Sequence, residues 1–250
     1  MAPSDARSPD PAPAGDILTA EGLSAGYGKK QVLHDVSLRV ARGEAVAVLG
    51  HNGAGKTTLL RAVFGLLPPW DGRITFEGGP AGRASASASV RSGMAMIPSE
   101  RFVFADLSVA DNLRLGALTV PGGRARDARL DAAYETFPLL KERSRQLAGT
   151  MSGGQQRLLS LAMALMTEPR LLLLDEPSLG LAPALAQSVL RQVKGLVSSR
   201  GMSVILLEQN VVSALELASR VYVMRSGRII LEESAQQLQD LGPQRWWELF

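Results

Sequence analysis

The sequence predicts an α/β fold with a parallel sheet, an N-terminal antiparallel β subdomain and an inserted helical subdomain. Three short runs, residues 44–49, 171–174 and 204–207, are almost wholly apolar, as is typical of strands covered on both faces in a parallel sheet. Helical stretches lie between these runs, and strands that alternate with helices indicate the α/β class. The 250 residues suffice for one large domain, or for a core with a small subdomain.

The other elements are predicted in order along the chain. Residues 17–40 are predicted to form antiparallel strands, because Val36, Leu38 and Val40 alternate with polar neighbours, with a turn around Tyr27 between two glycines. A helical subdomain is expected at about 106–168, where Ser108 and Ser152 are candidate N-caps. Further strands are predicted at residues 74–76, 94–97, 221–224 and 229–231, and a further helix at 184–197.

Composition and charge exclude several classes of function. The formal net charge is only +3 and no dense basic block occurs, so nucleic acid is not expected as a partner. No apolar run reaches the length of a membrane span, so any membrane association is expected to be peripheral. The chain has no cysteine, which excludes disulfides and thiolate metal sites and fits a reducing compartment.

The two ends differ in composition from the main domain, which is expected at residues 16–245. Four prolines among small and polar residues predict a disordered tail at residues 1–15. Residues 246–250 form an aromatic tail that includes Trp246 and Trp247. We expect this tail to cover the edge of the core, and docking onto a partner is the alternative.

A glycine-rich loop is the first segment with a predicted chemical role, which is phosphate binding. It reads Gly50-His-Asn-Gly-Ala-Gly-Lys56-Thr57 and lies between a predicted strand and a predicted helix, which is typical of a P-loop NTPase core. Its backbone N–H groups and the following helix N-terminus favour a bound phosphate. We expect Lys56 to reach the β- and γ-phosphates and the Thr57 hydroxyl to hold Mg²⁺. GTPases and small-molecule kinases share such a loop, but the chain has no Asn-Lys-x-Asp motif for reading guanine.

Two carboxylates, Asp175 and Glu176, follow the buried run at 171–174. Ligands of such sheets bind beyond the carboxyl ends of the strands, so both side chains are expected near the phosphates. Asp175 suits the Mg²⁺ shell, and Glu176 suits polarisation of the attacking water as a general base. The alternative is an acidic pair that only caps a helix after a core strand.

A second anion-binding geometry is predicted at the four residues Ser152, Gly153, Gly154 and Gln155, here called the signature segment. The segment precedes an apolar helical run, so its backbone N–H groups lie at a helix N-terminus. An N-capped core helix with no further role is the alternative. One chain thus carries two phosphate-binding helix ends, about a hundred residues apart.

The glycine loop, the signature segment and the acidic pair, in this order and spacing, resemble the ATPase subunit of ABC transporters over about residues 17 to 240. In that family two ATPase domains dimerise head to tail, and each ATP lies between the glycine loop of one domain and the signature segment of the other. The resemblance implies that adenine stacks on Tyr27. The residues expected to bind ATP are Tyr27, Gly50, His51, Asn52, Gly53, Ala54, Gly55, Lys56, Thr57 and Thr58, and the signature segment is expected to touch the partner's ATP.

Departures from the usual family motifs indicate which branch of the family the chain resembles. Where a His is usual after the strand at 204–207, the chain has Glu208-Gln209-Asn210, and this resembles the ATPases of branched-chain amino acid importers. The segment Asp-Glu-Pro-Ser-Leu-Gly-Leu-Ala-Pro from Asp175 is similar to the same branch. Gln209 is expected to contact the γ-phosphate but carries no charge. Activation of the attacking water is therefore expected to depend more strongly on Glu176. Ser99 occupies a position where the family usually has Gln and where this branch usually has Glu.

The resemblance implies an ATP-hydrolysing subunit of an importer, with ATP and Mg²⁺ as cofactors, on the cytoplasmic face of the cell membrane. It further implies separate permease subunits, a second ATPase subunit in a homo- or heterodimer, and an extracytoplasmic solute-binding protein as an indirect partner. Branched-chain or related amino acids are the expected solutes, and urea or amides are the alternative. Two other classes stay open: a soluble ABC ATPase that acts in translation or DNA repair, and a nucleotide-gated module with little turnover.

Overall fold

A computed structural model describes residues 15–100, 103–242 and 246 of the chain. The predicted disordered tail lies outside the described residues except for Gly15, and the predicted aromatic tail does so except for Trp246. The Trp246 indole N–H donates a hydrogen bond to the Leu238 carbonyl oxygen at 2.7 Å. The Trp246 side chain also packs against the apolar core, so the part of the tail that is described lies against the body of the protein.

Ten strands form two sheets within the described residues. The strands are β1 (Asp16–Tyr27), β2 (Lys30–Ala41), β3 (Ala45–Leu49), β4 (Asp71–Phe76), β5 (Gly79–Ala81), β6 (Met94–Ile97), β7 (Leu171–Asp175), β8 (Ser203–Glu208), β9 (Arg220–Arg225) and β10 (Arg228–Ser234). One sheet is antiparallel, in the order β2-β1-β4-β5, and the other has the order β10-β9-β3-β8-β7-β6. In the second sheet all pairs are parallel except β10 with β9 at one edge. The two sheets confirm the predicted fold class.

Nine α-helices and one 3₁₀ turn at Ala148–Thr150 connect the strands of the described residues. The helices are α1 (Lys56–Phe64), α2 (Ala86–Arg91), α3 (Val109–Gly116), α4 (Arg124–Thr136), α5 (Pro138–Glu142), α6 (Gly153–Leu165), α7 (Pro183–Arg200), α8 (Val211–Leu217) and α9 (Ala235–Leu241). Helices α3 to α6 all lie between β6 and β7 in the sequence, where the helical subdomain is predicted. The domain boundaries themselves stay predictions.

The parallel sheet separates two apolar cores. Every residue of β3, β7 and β8 is buried, because both faces of these strands are covered. Val46 and Val48 face the core shared with α1 and the antiparallel sheet, whereas Ala47 and Leu49 face the core shared with the other helices. This division follows from the two-residue period of a strand.

Strand register brings several chain segments to one edge of the sheet. Leu49 pairs with Glu208, Asp175 pairs with Leu207, and Leu174 pairs with Ile97. Strands β3, β8, β7 and β6 therefore end together, and we call this border the carboxyl edge. The glycine loop, the acidic pair, Gln209 and Ser99 all follow strands that end there.

The two predicted N-caps are confirmed. Ser108 begins α3, and its hydroxyl accepts the Asp111 N–H at 3.1 Å. Asn112 on the same helix is fully buried. Its amide accepts the Phe104 N–H and donates to the carbonyl oxygens of Phe104 and Ser108, which ties the chain before α3 to the helix. Ser152 begins α6.

Candidate functional site

The glycine loop joins the end of β3 to the start of α1. Gly53 and Gly55 have φ angles of 83° and 107°, which L-residues rarely adopt. A Cβ on Gly50 would lie 2.4 Å from the carbonyl oxygen of Met224, so only glycine fits there. His51, Asn52 and Gly53 are exposed, whereas Ala54, Gly55 and Thr58 are buried. The loop thus has an open rim above a closely packed base.

Lys56 occupies the centre of this loop. Its side chain is only 4% exposed, so its ammonium group needs partners in place of water. The Nζ atom donates to the carbonyl oxygens of Gly50 at 2.6 Å and His51 at 3.3 Å. It also lies 3.1 Å from Oε1 of Glu176. The structure therefore brings the predicted phosphate-binding cation and the predicted general base into direct contact.

Thr57 and Asp175 meet beside this pair. The Thr57 hydroxyl donates to the Asp175 carboxylate, with distances of 3.2 and 3.1 Å to its two oxygens. Burial raises the pKa of Asp175, and the hydrogen bond from Thr57 opposes that rise. The two residues predicted to hold a metal ion are thus adjacent, on α1 and β7.

Glu176 has an unusual backbone conformation. Its φ is 48°, in the left-handed region that non-glycine residues seldom occupy, and its N–H donates to the Leu207 carbonyl oxygen at 3.0 Å. This bond attaches the residue after β7 to the neighbouring strand β8. A strained residue held by neighbours in this way is typical of a functional site.

The signature segment forms the N-terminus of α6. The Ser152 hydroxyl accepts the Gln155 N–H, and the Gln155 side-chain oxygen accepts the Ser152 N–H at 3.1 Å, which is a capping box. Ser152 and Gly153 are exposed, and a Cβ on Gly153 would meet nothing within 4 Å. Gly154 is buried, and a Cβ there would strike the side chain of Leu185. No hydrogen bond links this segment to the glycine loop in the part of the chain that the structure describes.

The remaining predicted site residues lie near the surface. Tyr27 ends β1 and is 45% exposed, and its hydroxyl accepts a hydrogen bond from Arg61 at 3.2 Å. The turn that follows is at Gly28, where φ is 58°. Gln209 is exposed directly after β8. Both side chains are therefore accessible from the solvent.

Two buried charged residues at this edge are missing from the sequence-based site. Glu208, the last residue of β8, is 2% exposed and accepts the Ser178 N–H at 3.2 Å. Arg157 on α6 is 3% exposed and donates to the carbonyl oxygens of Pro98 at 3.0 Å and Ser99 at 3.1 Å. A signal was present in the sequence, because Glu208 ends an apolar strand and Arg157 is the one charged residue of α6.

Comparison with known proteins decides the family. A family profile described as "ABC transporter" matches residues 33–179. The chain is 43% identical over 222 residues to the high-affinity branched-chain amino acid transport ATP-binding protein BraG of Pseudomonas aeruginosa, which covers 89% of this chain and 94% of that protein. The chain belongs to the ABC transporter family.

The family also includes relatives whose names state export. The lipopolysaccharide export system ATP-binding protein LptB of Escherichia coli is 35% identical, over 85% of this chain and 88% of its own length. Among solved structures, the ADP conformation of an ATP-binding cassette of an ABC transporter is 25% identical with a TM-score of 0.82, over 94% of this chain and 98% of that chain. The structural similarity thus covers nearly the full length of both chains.

Membership of the ABC family establishes the general activity. The chain is an ATP-binding ATPase subunit, and the expected family and enzyme class are confirmed. Within the described residues, no helix combines the length and the apolar character needed to cross a membrane.

The burial of Glu208 predicts how stability changes with pH. Burial raises the pKa of Glu208 above its ordinary value, and hydrogen bonds from Ser178, Asn210 and Gln209 only partly oppose this. At pH 7 the charged carboxylate is therefore a cost to the folded state, and Glu208→Gln should increase the free energy of unfolding. As the pH falls through the raised pKa, the folded wild type takes up a proton before the unfolded chain does, so the difference should shrink.

Urea unfolding of the wild type and the variant between pH 4.5 and 8 measures this difference. Glu21→Gln is the control for the loss of a surface carboxylate, because Glu21 is exposed on β1. A Glu208→Gln variant that is less stable than wild type at pH 7 would contradict the assigned cost of burying this charge.

Proposed function

We propose that this chain is the ATP-hydrolysing subunit of an importer for branched-chain or related amino acids. The observation that carries the proposal is the 43% identity to a branched-chain amino acid transport protein over almost its whole length. The 36% identity to a probable branched-chain amino acid transport ATP-binding protein of Archaeoglobus fulgidus supports it further. Similarity to lipopolysaccharide export proteins is lower, at 32–35%.

The glycine loop binds the phosphates of ATP in this proposal. Backbone N–H groups of the loop and the N-terminus of α1 face the phosphates, and Tyr27 stacks on the adenine. Lys56 exchanges part of its contact with Glu176 and the loop carbonyls for phosphate oxygens. That exchange leaves the Glu176 carboxylate available to the attacking water.

The adjacent hydroxyl of Thr57 and carboxylate of Asp175 fit a magnesium ion. Both supply the oxygen ligands that Mg²⁺ prefers, and one or two carboxylates beside a polyphosphate are its usual protein environment. When bound, Mg²⁺ neutralises charge that develops on the phosphates. Asp175 is held in place by the Thr57 hydrogen bond on one side and by the sheet on the other.

Glu176 acts as the general base and Gln209 as a neutral contact to the γ-phosphate. Gln209 offers an amide that donates a hydrogen bond but carries no charge, so proton removal from the water rests on Glu176. The left-handed backbone of Glu176 and its bond to Leu207 hold the carboxylate at the carboxyl edge.

The signature segment completes the site of a second ATPase subunit. Ser152 and Gly153 are exposed at a helix N-terminus, and the segment has no hydrogen bond to its own glycine loop among the described residues. This arrangement supports a site shared across a dimer, with either a second copy or a related ATPase. ATP closes the dimer and hydrolysis reopens it, which alternates the access of separate permease subunits at the cytoplasmic face of the membrane. A solute-binding protein outside the membrane delivers the solute.

Replacement of the base separates hydrolysis from binding. Glu176→Gln should lower ATP turnover of the assembled complex by about 10²- to 10⁴-fold, the usual contribution of general acid–base catalysis. ATP affinity should stay within about threefold of wild type, because Gln keeps the shape and accepts a hydrogen bond. Phosphate release and equilibrium ATP binding measure the two quantities. Unchanged turnover would show that another group is the base.

Mixing two inactive variants tests the shared site. Lys56→Ala removes the phosphate-binding cation, and Gly153→Asp places a negative charge in the signature segment, where a side chain has open space. Each variant alone should be inactive. Half of the dimers in an equal mixture are mixed, and each mixed dimer retains one intact site, so turnover should recover to at most about a quarter of the wild-type rate.

Gly153→Ala is the control for this mixing test, because it changes the same position without adding charge, and it should stay active. If the chain pairs with a related ATPase, one substitution is placed in each subunit instead. Wild-type turnover by Gly153→Asp alone would show that the signature segment does not touch ATP.

Solute uptake tests the transport function. Cells that lack this chain should take up radiolabelled leucine at least about tenfold more slowly, and the wild-type chain should restore uptake because it drives the permease. The Glu176→Gln chain is the matched control, since it assembles but does not hydrolyse ATP. Leucine uptake that is unaffected by loss of the chain, with loss of urea or amide uptake instead, would assign the alternative solutes.

A further inference from the structure

Arg157 is a buried cation beside the carboxyl edge. It lies on α6, five residues after the N-cap Ser152, and its side chain is 3% exposed. Two of its nitrogens donate to two successive carbonyl oxygens, Pro98 at 3.0 Å and Ser99 at 3.1 Å. The planar guanidinium group suits such a double contact, which a lysine cannot reproduce.

The carbonyls that Arg157 holds belong to the loop after β6. Ile97 ends β6 and pairs with Leu174 on β7, so Pro98 and Ser99 run beside Asp175 and Glu176. The loop therefore follows the strand next to the acidic pair, on the side of the chain's own ATP site. The two hydrogen bonds connect this loop directly to Arg157, so a displacement of the loop would be transmitted to its side chain.

Arg157 also interacts with the ends of two further strands. Its charge is attracted by the carboxylates of Asp175 on β7 and Glu208 on β8, while burial lowers its pKa below the usual value. One side chain thus interacts with groups at the ends of β6, β7 and β8. A buried cation among these groups is expensive to displace, so α6 and the loop are held in a fixed relation.

We propose that Arg157 is a positioning residue that couples a chain's own ATP site to the signature segment that it offers to its partner. When the loop at Pro98 and Ser99 shifts, the guanidinium group carries that shift to α6, and the helix N-terminus at Ser152 follows. The second ATP site therefore responds to occupancy of the first. This inference rests on the proposed shared site and adds the connection between the two halves.

Amide hydrogen exchange of the full chain tests the coupling directly. The Glu176→Gln chain is used as the background, at concentrations where it is monomeric, so that ATP binds without turnover and without a partner. With Arg157 intact, ATP binding should change the exchange rates of residues 152–156 at least about threefold. In the same background, Arg157→Lys should bind ATP with an affinity within about twofold and should lose the change at residues 152–156.

Turnover of the assembled complex supplies the second measurement. Arg157→Lys should lower the maximal rate by about ten- to a hundredfold, because misplacement of a positioning group costs that much. The Hill coefficient for ATP should fall from above about 1.5 toward about 1, since two sites that no longer communicate act independently.

Arg220→Lys is the matched control. Arg220 is also a largely buried arginine in charged contacts, 2.6 Å from Glu44 and 2.7 Å from Glu232, but it lies at the start of β9, away from the carboxyl edge. It should lose stability while it keeps cooperativity and the exchange response at residues 152–156. If Arg157→Lys behaves like Arg220→Lys in both measurements, the coupling role is overturned.

Loss of ATP affinity in the Arg157→Lys monomer would also overturn the inference, because it would place Arg157 in the chain's own binding site. Failure of the shared site itself is recognised separately by Gly153→Asp in the same turnover assay. If that variant keeps the wild-type rate, the shared site is wrong whatever Arg157 does.

Discussion

The buried ammonium group of Lys56 is the constraint around which the carboxyl edge is organised. A charge that is 4% exposed costs several kcal/mol unless it is paired and hydrogen-bonded. Its compensation comes from the carbonyl oxygens of Gly50 and His51 and from the Glu176 carboxylate. The two carbonyl oxygens belong to the loop after β3, and the carboxylate belongs to the residue after β7. The need to pair a single cation thus fixes the distance between the glycine loop and the acidic pair.

Parallel register extends this constraint to the other strands. Because β6, β7, β8 and β3 end together, the residue after each strand faces the same ligand-sized region. Helix α6 is not part of the sheet, yet Arg157 attaches it to the loop after β6. The segment expected to serve a partner is therefore connected to the strands that serve the chain's own site, through side chains that are almost completely buried.

The sequence predicted the fold class and the residues that meet at Lys56, because each carries a local signal. A glycine loop between a strand and a helix, and two carboxylates after an apolar run, are patterns that need no knowledge of distant contacts. The contact between Lys56 and Glu176 joins residues 120 positions apart, so no local pattern reports it. The same holds for Arg157, whose partners at Pro98 and Ser99 are defined only by packing of α6 on β6. Likewise, the sequence pattern indicates that Glu208 is the polar end of a strand, and only the fold shows that its side chain is buried.

The balance of charges at the carboxyl edge gives a physical reason to expect both a metal ion and a partner subunit. Three carboxylates, of Asp175, Glu176 and Glu208, face two buried cations, Lys56 and Arg157. Among the described residues, the site already has more carboxylates than buried cations; a nucleoside triphosphate adds several negative charges, and Gln209 adds no charge. In the proposed function the missing positive charge comes from Mg²⁺ at Thr57 and Asp175 and from the helix N-terminus of the partner's signature segment. In the proposed function, the electrostatics of the site therefore favours a closed, nucleotide-bound state that includes a second subunit.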